Sequence, residues 1–177
     1  MEGSKRIFKS YLFVLILIIS TSLFLSCFFT ISRGNGISMS HALENGDITL
    51  ELKNLRILNI EPERGDIISF KSPVFEKLSF VKRVIGIPGD QIRIEGGRVY
   101  LNGQELKEDY IRGMRTVVEK NQKSHWIVPE GKVFVLGDNR ERGGSMDSRS
   151  FGFVDIDDIK GYIIAILYPR ERRRFVK

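Results

Sequence analysis

Three stretches of this 177-residue sequence bring together residue types that can do chemistry. The first, "GISMSHAL" (Gly36–Leu43), places Ser38 and His41 in a glycine-bounded loop. A serine there is either a nucleophile or a turn former, and the stretch alone does not choose. The second is "SFVKRVIGI" (Ser79–Ile87). In an extended strand Lys82 shares a face with Phe80 and Val84, while Val81, Arg83 and Ile85 take the other. Both faces are then apolar apart from two adjacent cations, and it is hard for both to snorkel out at once. A lysine in apolar surroundings loses charge stabilisation, and its pKa falls. The neutral amine can then accept a serine proton and activate the hydroxyl. The alternative is an edge strand whose Lys and Arg guard against aggregation. The third stretch, "GDNRERGGSMDSRSFG" (Gly137–Gly152), packs Asp138, Asn139, Arg140, Asp147 and Arg149 into a glycine-rich loop. Asp and Arg at such spacing either form bidentate pairs that fix a loop at the end of a rigid sheet or lie on a solvated turn where ion pairs are worth little.

Something must position these residues, and most of the chain reads as strands. "DITLEL" (Asp47–Leu52), "GDIISF" (Gly65–Phe70) and Ser79–Ile87 carry the patterning of half-buried or buried strands. "QIRIEGGRVYLNG" reads as a hairpin turned at Gly96-Gly97, with a second turn at Asn102-Gly103. "KVFVLGD" (Lys132–Asp138) and "GYIIAILY" (Gly161–Tyr168) are continuous apolar runs suited to buried strands, and "DIDDIK" suggests one helical turn. The less apolar region of residues 105–130 is expected to be a peripheral excursion or lid. No repeat or low-complexity segment interrupts the pattern. The fold class expected is mainly β.

The first 32 residues differ in kind. From Ser10 to Ser32 there is no charge, and as a helix this run spans about 34 Å, enough for a bilayer core. A cleaved signal peptide has a shorter apolar region, usually about 7–15 residues, so an uncleaved transmembrane anchor over residues 10–32 is expected. Lys5, Arg6 and Lys9 precede it and Arg33 follows, which puts residues 1–9 in the cytoplasm and everything after Arg33 on the far side. The net charge is +6, and five basic residues lie in the last eight, "RERRRFVK". Without that tail the domain is near neutral, which argues against nucleic acid as a partner. The tail, residues 170–177, either touches anionic lipid headgroups or is a solvated terminus. One cysteine (Cys27) and two histidines (His41, His125) make no intrachain disulfide and no Cys/His metal cluster. Carboxylates could still bind a metal, but no metal and no cofactor are expected.

Taken in order, Ser38-Met39, "RGDIISF" (Arg64–Phe70), "KRVIGIPGD" (Lys82–Asp90) and "GDNR" with "DSR" (Gly137–Arg140, Asp147–Arg149) resemble the signature boxes of bacterial type I signal peptidases. The resemblance covers about residues 36–168 and includes the N-terminal anchor. It implies a single transmembrane helix followed by an extracytoplasmic β-rich catalytic domain over residues 33–169, of the type shared with the self-cleaving SOS-response repressors. It implies a serine–lysine dyad with Ser38 as nucleophile and Lys82 as general base. Ser145 matches the family serine that hydrogen-bonds the lysine, and Asp138, Arg83, Asp147 and Arg149 match residues that hold the site by ion pairs. Gly36, Ile37 and Met39 would form the substrate and oxyanion loop, with the Ser38 N–H as one oxyanion donor. Gly36 stands where some members carry a second, hydroxyl donor.

Two departures stand out. The family's "xPTL" after Ser-Met is "SHAL" here (Ser40–Leu43), and the GDNR–DSR spacing is two residues longer, with Gly143-Gly144 the inserted pair. The activity implied is removal of signal peptides from exported preproteins, cut after small residues at the first and third positions before the bond, by a monomer in the cell membrane. A specialised processing protease with few substrates and an inactive membrane-tethered scaffold are the alternatives. His41 is expected to be a bystander, since nearness in sequence does not supply the geometry a base needs.

Overall fold

The structure is a computed structural model and describes residues 2–54, 57–119 and 123–176. It begins with a helix, α1 (Glu2–Phe28). Within it Lys9–Phe28 is long and apolar enough to cross a membrane, with a mean hydropathy of 2.4 and no burial against the rest of the chain. The strands follow as β1 (Phe29–Arg33), β2 (Ile48–Lys53), β3 (Ile67–Lys71), β4 (Ser79–Gly86), β5 (Gln91–Glu95), β6 (Arg98–Leu101), β7 (Gln104–Glu105), β8 (His125–Ile127), β9 (Lys132–Leu136), β10 (Val154–Asp155), β11 (Ile159–Tyr168) and β12 (Arg174–Phe175). A four-residue helix, α2 (Ser148–Phe151), sits between β9 and β10.

Among the described residues the strands form two sheets. The larger runs β1-β2-β11-β3-β4-β9-β10, with β12 added against β11, and the smaller runs β7-β6-β5-β8. The pairings within them are antiparallel. The expected mainly-β class is what forms, and every strand anticipated from patterning is present. Gly96 and Gly97 both take positive φ in the β5–β6 turn (58° and 83°), a geometry that glycine adopts without steric cost. The helical turn anticipated at "DIDDIK" is a 3-10 turn over Ile156–Asp158.

Three apolar clusters hold the sheets. Ile68, Phe70, Val84, Val133, Val135 and Tyr162 fill one side of the large sheet. Ile85, Phe134 and Leu136 face the other way and meet Ile92, Val99 and Trp126 of the small sheet. That alternation along β4 and β9 explains why their sequences read as continuous apolar runs: both faces are covered. The third cluster, Met39, Leu43, Ile67, Ile163 and Ile166, lies under the loop that carries Ser38.

The architecture corrects three expectations. The apolar run does not stay helical to Ser32: α1 ends at Phe28, and Phe29–Arg33 pairs with β2 from Phe29↔Leu52 to Arg33↔Ile48. Aromatic and β-branched residues (Phe29, Thr30, Ile31) suit a strand as well as an apolar helix, and the partner strand decides. The basic terminus is not an appendage. Residues 170–172 make a 3-10 turn, Arg174–Phe175 pairs with Ala165–Ile166, and Arg172 bonds the buried Asp47 at 3.0 Å. The region 105–130 is not merely peripheral: β8 supplies Trp126 to the core, and Glu108 takes the buried Arg140 in a bidentate ion pair.

That last pair generates a test. Arg140 is fully buried, and its other partners are Thr116 Oγ1 at 2.7 Å and the Gly137 carbonyl at 2.7 Å. Removing Glu108 strands a buried cation, which typically costs roughly 3–5 kcal/mol. We predict that Glu108→Ala lowers the thermal unfolding midpoint by several degrees or more, and Glu108→Gln, which keeps one acceptor, by less.

Candidate active site

Ser38 sits in a loop that several unrelated segments pin. Gly34 N–H donates to the Asp47 carbonyl and Gly46 N–H to the Gly34 carbonyl, both at 2.8 Å, closing the loop at its base. Met39 and Leu43 drive their side chains into the core beneath it. From the far end of the chain, Asn139 holds the loop twice: its backbone N–H donates to the Ser38 carbonyl (3.0 Å) and its side-chain amide to the Ile37 carbonyl (3.1 Å). Gly137 has to be glycine for this contact, because a Cβ there would meet the Ser38 carbonyl and the Ser145 side chain. Neither role for Asn139 and Gly137 was assigned from sequence. A residue that works through its backbone at long range leaves no pattern to read.

Lys82 comes from β4. Its amine donates to Ser38 Oγ at 2.8 Å and to the Val81 carbonyl at 2.9 Å. The residue is 3% exposed, and the amine lies 5.1 Å from the Phe80 ring centre, on the shared face expected of an alternating strand. Burial lowers its pKa from 10.5 to about 8, against a smaller upward pull from Asp147 and Asp138.

Its neighbour Arg83 points the other way and meets a different fate. Its guanidinium makes two parallel bonds to Asp138 (2.9 and 2.7 Å), one to the Gly65 carbonyl (2.8 Å), and stacks 4.1 Å from the Tyr110 ring. Both partners are essentially solvent-free. Burial pushes the Asp138 carboxyl up, with Arg83 and Arg140 pulling against it. Asp147 is held in the same way by Arg149 (2.8 and 2.7 Å), accepts from Gly137 N–H at 3.0 Å, and caps α2. The bidentate reading of this loop is therefore the one that forms, rather than the solvated turn.

Ser145 lines the same cavity as Ser38 and Lys82, but its buried hydroxyl has no hydrogen-bond partner. The Lys82–Ser145 bond that the resemblance implies is not made: the amine is occupied by Ser38 and Val81. The inserted glycines are packed rather than loose, for a Cβ on Gly144 would strike the Asn139 amide that clamps the Ser38 loop. His41 faces solvent, its imidazole 69% exposed and 3.9 Å from Glu44. Gly36, Ile37 and Met39 flank Ser38 at the mouth of a cavity of about 510 Å3. The Ser38 N–H itself makes no hydrogen bond among the described residues.

A buried amine hydrogen-bonded to a serine hydroxyl, beside an unpaired backbone N–H and an open cavity, is the arrangement of a lysine-activated serine hydrolase. The comparisons show the family to which the chain belongs. A model of the family "Signal peptidase, peptidase S26" matches residues 4–168. A signal peptidase I of Bacillus licheniformis is 34% identical over 141 residues, covering 76% of this chain and 74% of the relative. One from Bacillus caldolyticus is 38% identical over 153 residues, with coverage of 79% and 80%. A signal peptidase IB of Staphylococcus aureus is 33% identical over 150 residues, covering 76% of this chain and 75% of the relative. A crystal structure of a signal peptidase I from Enterococcus faecalis V583 is 38% identical, with a TM-score of 0.48, covering 59% of this chain and 97% of that one. The chain belongs to the signal peptidase family, peptidase S26, and is a serine peptidase of that family.

The amine carries a thermodynamic signature. Folding lowers the Lys82 pKa from 10.5 to about 8, so the unfolded chain binds the proton more tightly. The cost of burying Lys82 is then full below about pH 8, shrinks between about 8 and 10.5, and is absent above. We expect Lys82→Met to be more stable than the parent at pH 7, by roughly 1–3 kcal/mol. The gap should narrow as pH rises through that window in denaturant unfolding followed at several pH values.

Proposed function

We propose that this chain is a membrane-anchored signal peptidase I that removes signal peptides from exported preproteins, with Ser38 as nucleophile and Lys82 as general base. The observation that carries the reading is the 2.8 Å bond from the Lys82 amine to Ser38 Oγ in a dry setting that brings the amine's pKa to about 8. At that pKa an appreciable fraction of the amine is neutral near pH 7–8 and able to accept the hydroxyl proton.

In the acylation step Ser38 Oγ attacks the scissile carbonyl carbon as its proton passes to Lys82 Nζ. The carbonyl oxygen becomes an oxyanion, and the free Ser38 N–H is placed to donate to it. The ammonium then protonates the leaving amine as the C–N bond breaks, releasing the mature chain and leaving the signal peptide esterified to Ser38. Water, deprotonated by the neutral Lys82, attacks the ester and frees the serine. Asp138, Arg83, Asp147 and Arg149 act through position, holding β4 and the Gly137 loop against each other. Ser145 lines the site beside the dyad, and no step requires it as a proton carrier. The substrate strand has a place to lie: β4 pairs with β9 only from Arg83 onward, so the outer edge of Ser79–Lys82 is open to an extended peptide.

The domain layout fits this use. Residues 1–8 are assigned to the cytoplasm and Lys9–Phe28 to the span. The catalytic domain occupies the far side and continues through the folded C-terminal arginines. Ser38 follows the end of α1 by ten residues, so the site lies within reach of a substrate helix still in the bilayer. The enzyme is assigned as a monomer in the cell membrane, needing no metal and no cofactor. Among the described residues no three His, Cys, Asp or Glu side chains group as a metal site.

The test is incubation of the full chain, in detergent or vesicles, with an exported preprotein, followed by N-terminal sequencing of the product. Cleavage at the signal-peptide boundary is expected, and it should stop when the residue just before the bond is changed from Ala to Phe. Lys82→Ala should lose at least about a thousandfold in kcat/KM, in the range of losing a general base together with nucleophile activation, whereas His41→Ala should keep most of the activity. The acid limb of the kcat/KM profile should have its midpoint near 8. An active Lys82→Ala with a dead His41→Ala would reassign the base.

A further inference from the structure

The cavity beside Ser38 has a floor whose chemistry does not match an alanine pocket. Glu51 on β2 is 7% exposed and is among the residues that line the cavity. One oxygen accepts the Ser69 hydroxyl of β3 and the other the Ser32 hydroxyl of β1 at 3.1 Å, while Thr49 Oγ1 stands 3.4 Å from that Ser32 hydroxyl. No cation among the described residues pairs with Glu51. A carboxylate has about four acceptor sites, and two are filled here. Buried polar oxygens are ordinarily hydrogen-bonded, so the acceptor sites left over can take a further donor.

The arrangement is built rather than incidental. Glu51 and Ser69 lie on strands that both pair with β11, and the Glu51 side chain bridges them across it over Gly161. A Cβ on Gly161 would meet the Glu51 Cγ at 2.8 Å and the Leu52 carbonyl at 2.5 Å. Only glycine leaves room for the crossing.

The floor also lies at a defined point along the substrate. Ser69 pairs with Val81, the residue before Lys82, so the Glu51–Ser69 bond sits one strand over from the open edge of β4. A peptide extended along that edge advances about 3.3 Å per residue and alternates its side chains. A peptide laid along that edge with its acylated residue at Ser38 would carry the residue two positions upstream on the same face as the acylated one.

Resting on the peptidase reading above, we propose that Glu51 is a specificity-determining residue that selects a hydroxyl-bearing side chain, threonine or serine, at the third position before the scissile bond. A hydroxyl is favoured over an ammonium because Arg33, Lys82 and Lys160 already line this cavity, and the floor's own donors are hydroxyls. The incoming hydroxyl donates to a Glu51 oxygen. An isosteric apolar side chain leaves the carboxylate short of a donor and buries a methyl against it. The preference for a merely small residue that the resemblance implies is thereby sharpened at this one position.

The experiment compares three peptides that differ only at that position, Thr, Val or Ala, cut by the full chain in detergent micelles. The readout is the Thr/Val ratio of kcat/KM within each enzyme preparation, so a general loss of activity cancels. The wild-type ratio should be about tenfold or more, the size expected of one hydrogen bond to a buried charged acceptor. Glu51→Val should bring the ratio to near one or below, and Glu51→Gln should bring it partway. A wild-type enzyme that cuts the Val peptide as well as the Thr peptide overturns the inference, as does a ratio unchanged in both variants. If none of the three peptides is cut and Ser38 is not labelled by an acylating inhibitor, the peptidase reading itself falls and the subsite falls with it.

Discussion

The structure turns on keeping one amine dry without leaving it unpartnered. As the general base proposed above, Lys82 has to lie close enough to Ser38 for proton transfer, and in surroundings apolar enough that its proton is loosely held. Those demands oppose each other, since a dry lysine is itself a stability cost. The chain meets them by burying the amine on Ser38 Oγ and the Val81 carbonyl, two neutral acceptors that satisfy hydrogen bonding without restoring full charge stabilisation. Most of what surrounds the site follows from that choice. The Ser38 loop has to be held at hydrogen-bonding distance from the amine, and the chain brings distant segments to do it: Asn139 from one side, the Met39 and Leu43 anchors from below, and Arg172 on Asp47 from the C-terminus.

How much of this could be read from sequence depended on whether the signal was local. The strand at Ser79–Ile87 was legible because two cations in an otherwise apolar run have few innocent explanations, and the hairpin was legible because Gly96-Gly97 is a turn in its own right. The large sheet's β1 was not. Phe29–Arg33 continues the composition of the anchor, and what makes it a strand is the antiparallel partner at Ile48–Lys53, which no window of sequence contains. The C-terminal arginines misled for the same reason: charge density reads as solvation, yet Arg172 has a buried acid waiting for it and Arg174–Phe175 a strand edge.

The site divides along the same line. Ser38, Lys82 and the paired acids were legible through residue type, order and the resemblance to a known family. Asn139 was not, because its work is done by an amide and a backbone N–H on carbonyls a hundred residues away. In the sequence Glu51 is only one polar residue within "DITLEL". Its burial comes from β1 and β3 closing over it and from Gly161 leaving space, three facts that lie outside its own strand.

The two acids nearest the lysine raise a final point about the arginines. Asp138 and Asp147 both pull the Lys82 pKa upward, and a free carboxylate at either place would recharge the amine and remove its capacity as a base. Each is instead gripped by its own arginine through two parallel bonds, Arg83 on Asp138 and Arg149 on Asp147. A bidentate guanidinium fixes the acid's position and places a positive charge directly against it. The Asp–Arg pairs therefore have an electrostatic use beside their structural one. They let two carboxylates brace β4 and the Gly137 loop within reach of a lysine whose pKa stays at about 8. A lysine in place of either arginine would keep the charge but not the planar fork, and the acid it failed to hold would act on Lys82.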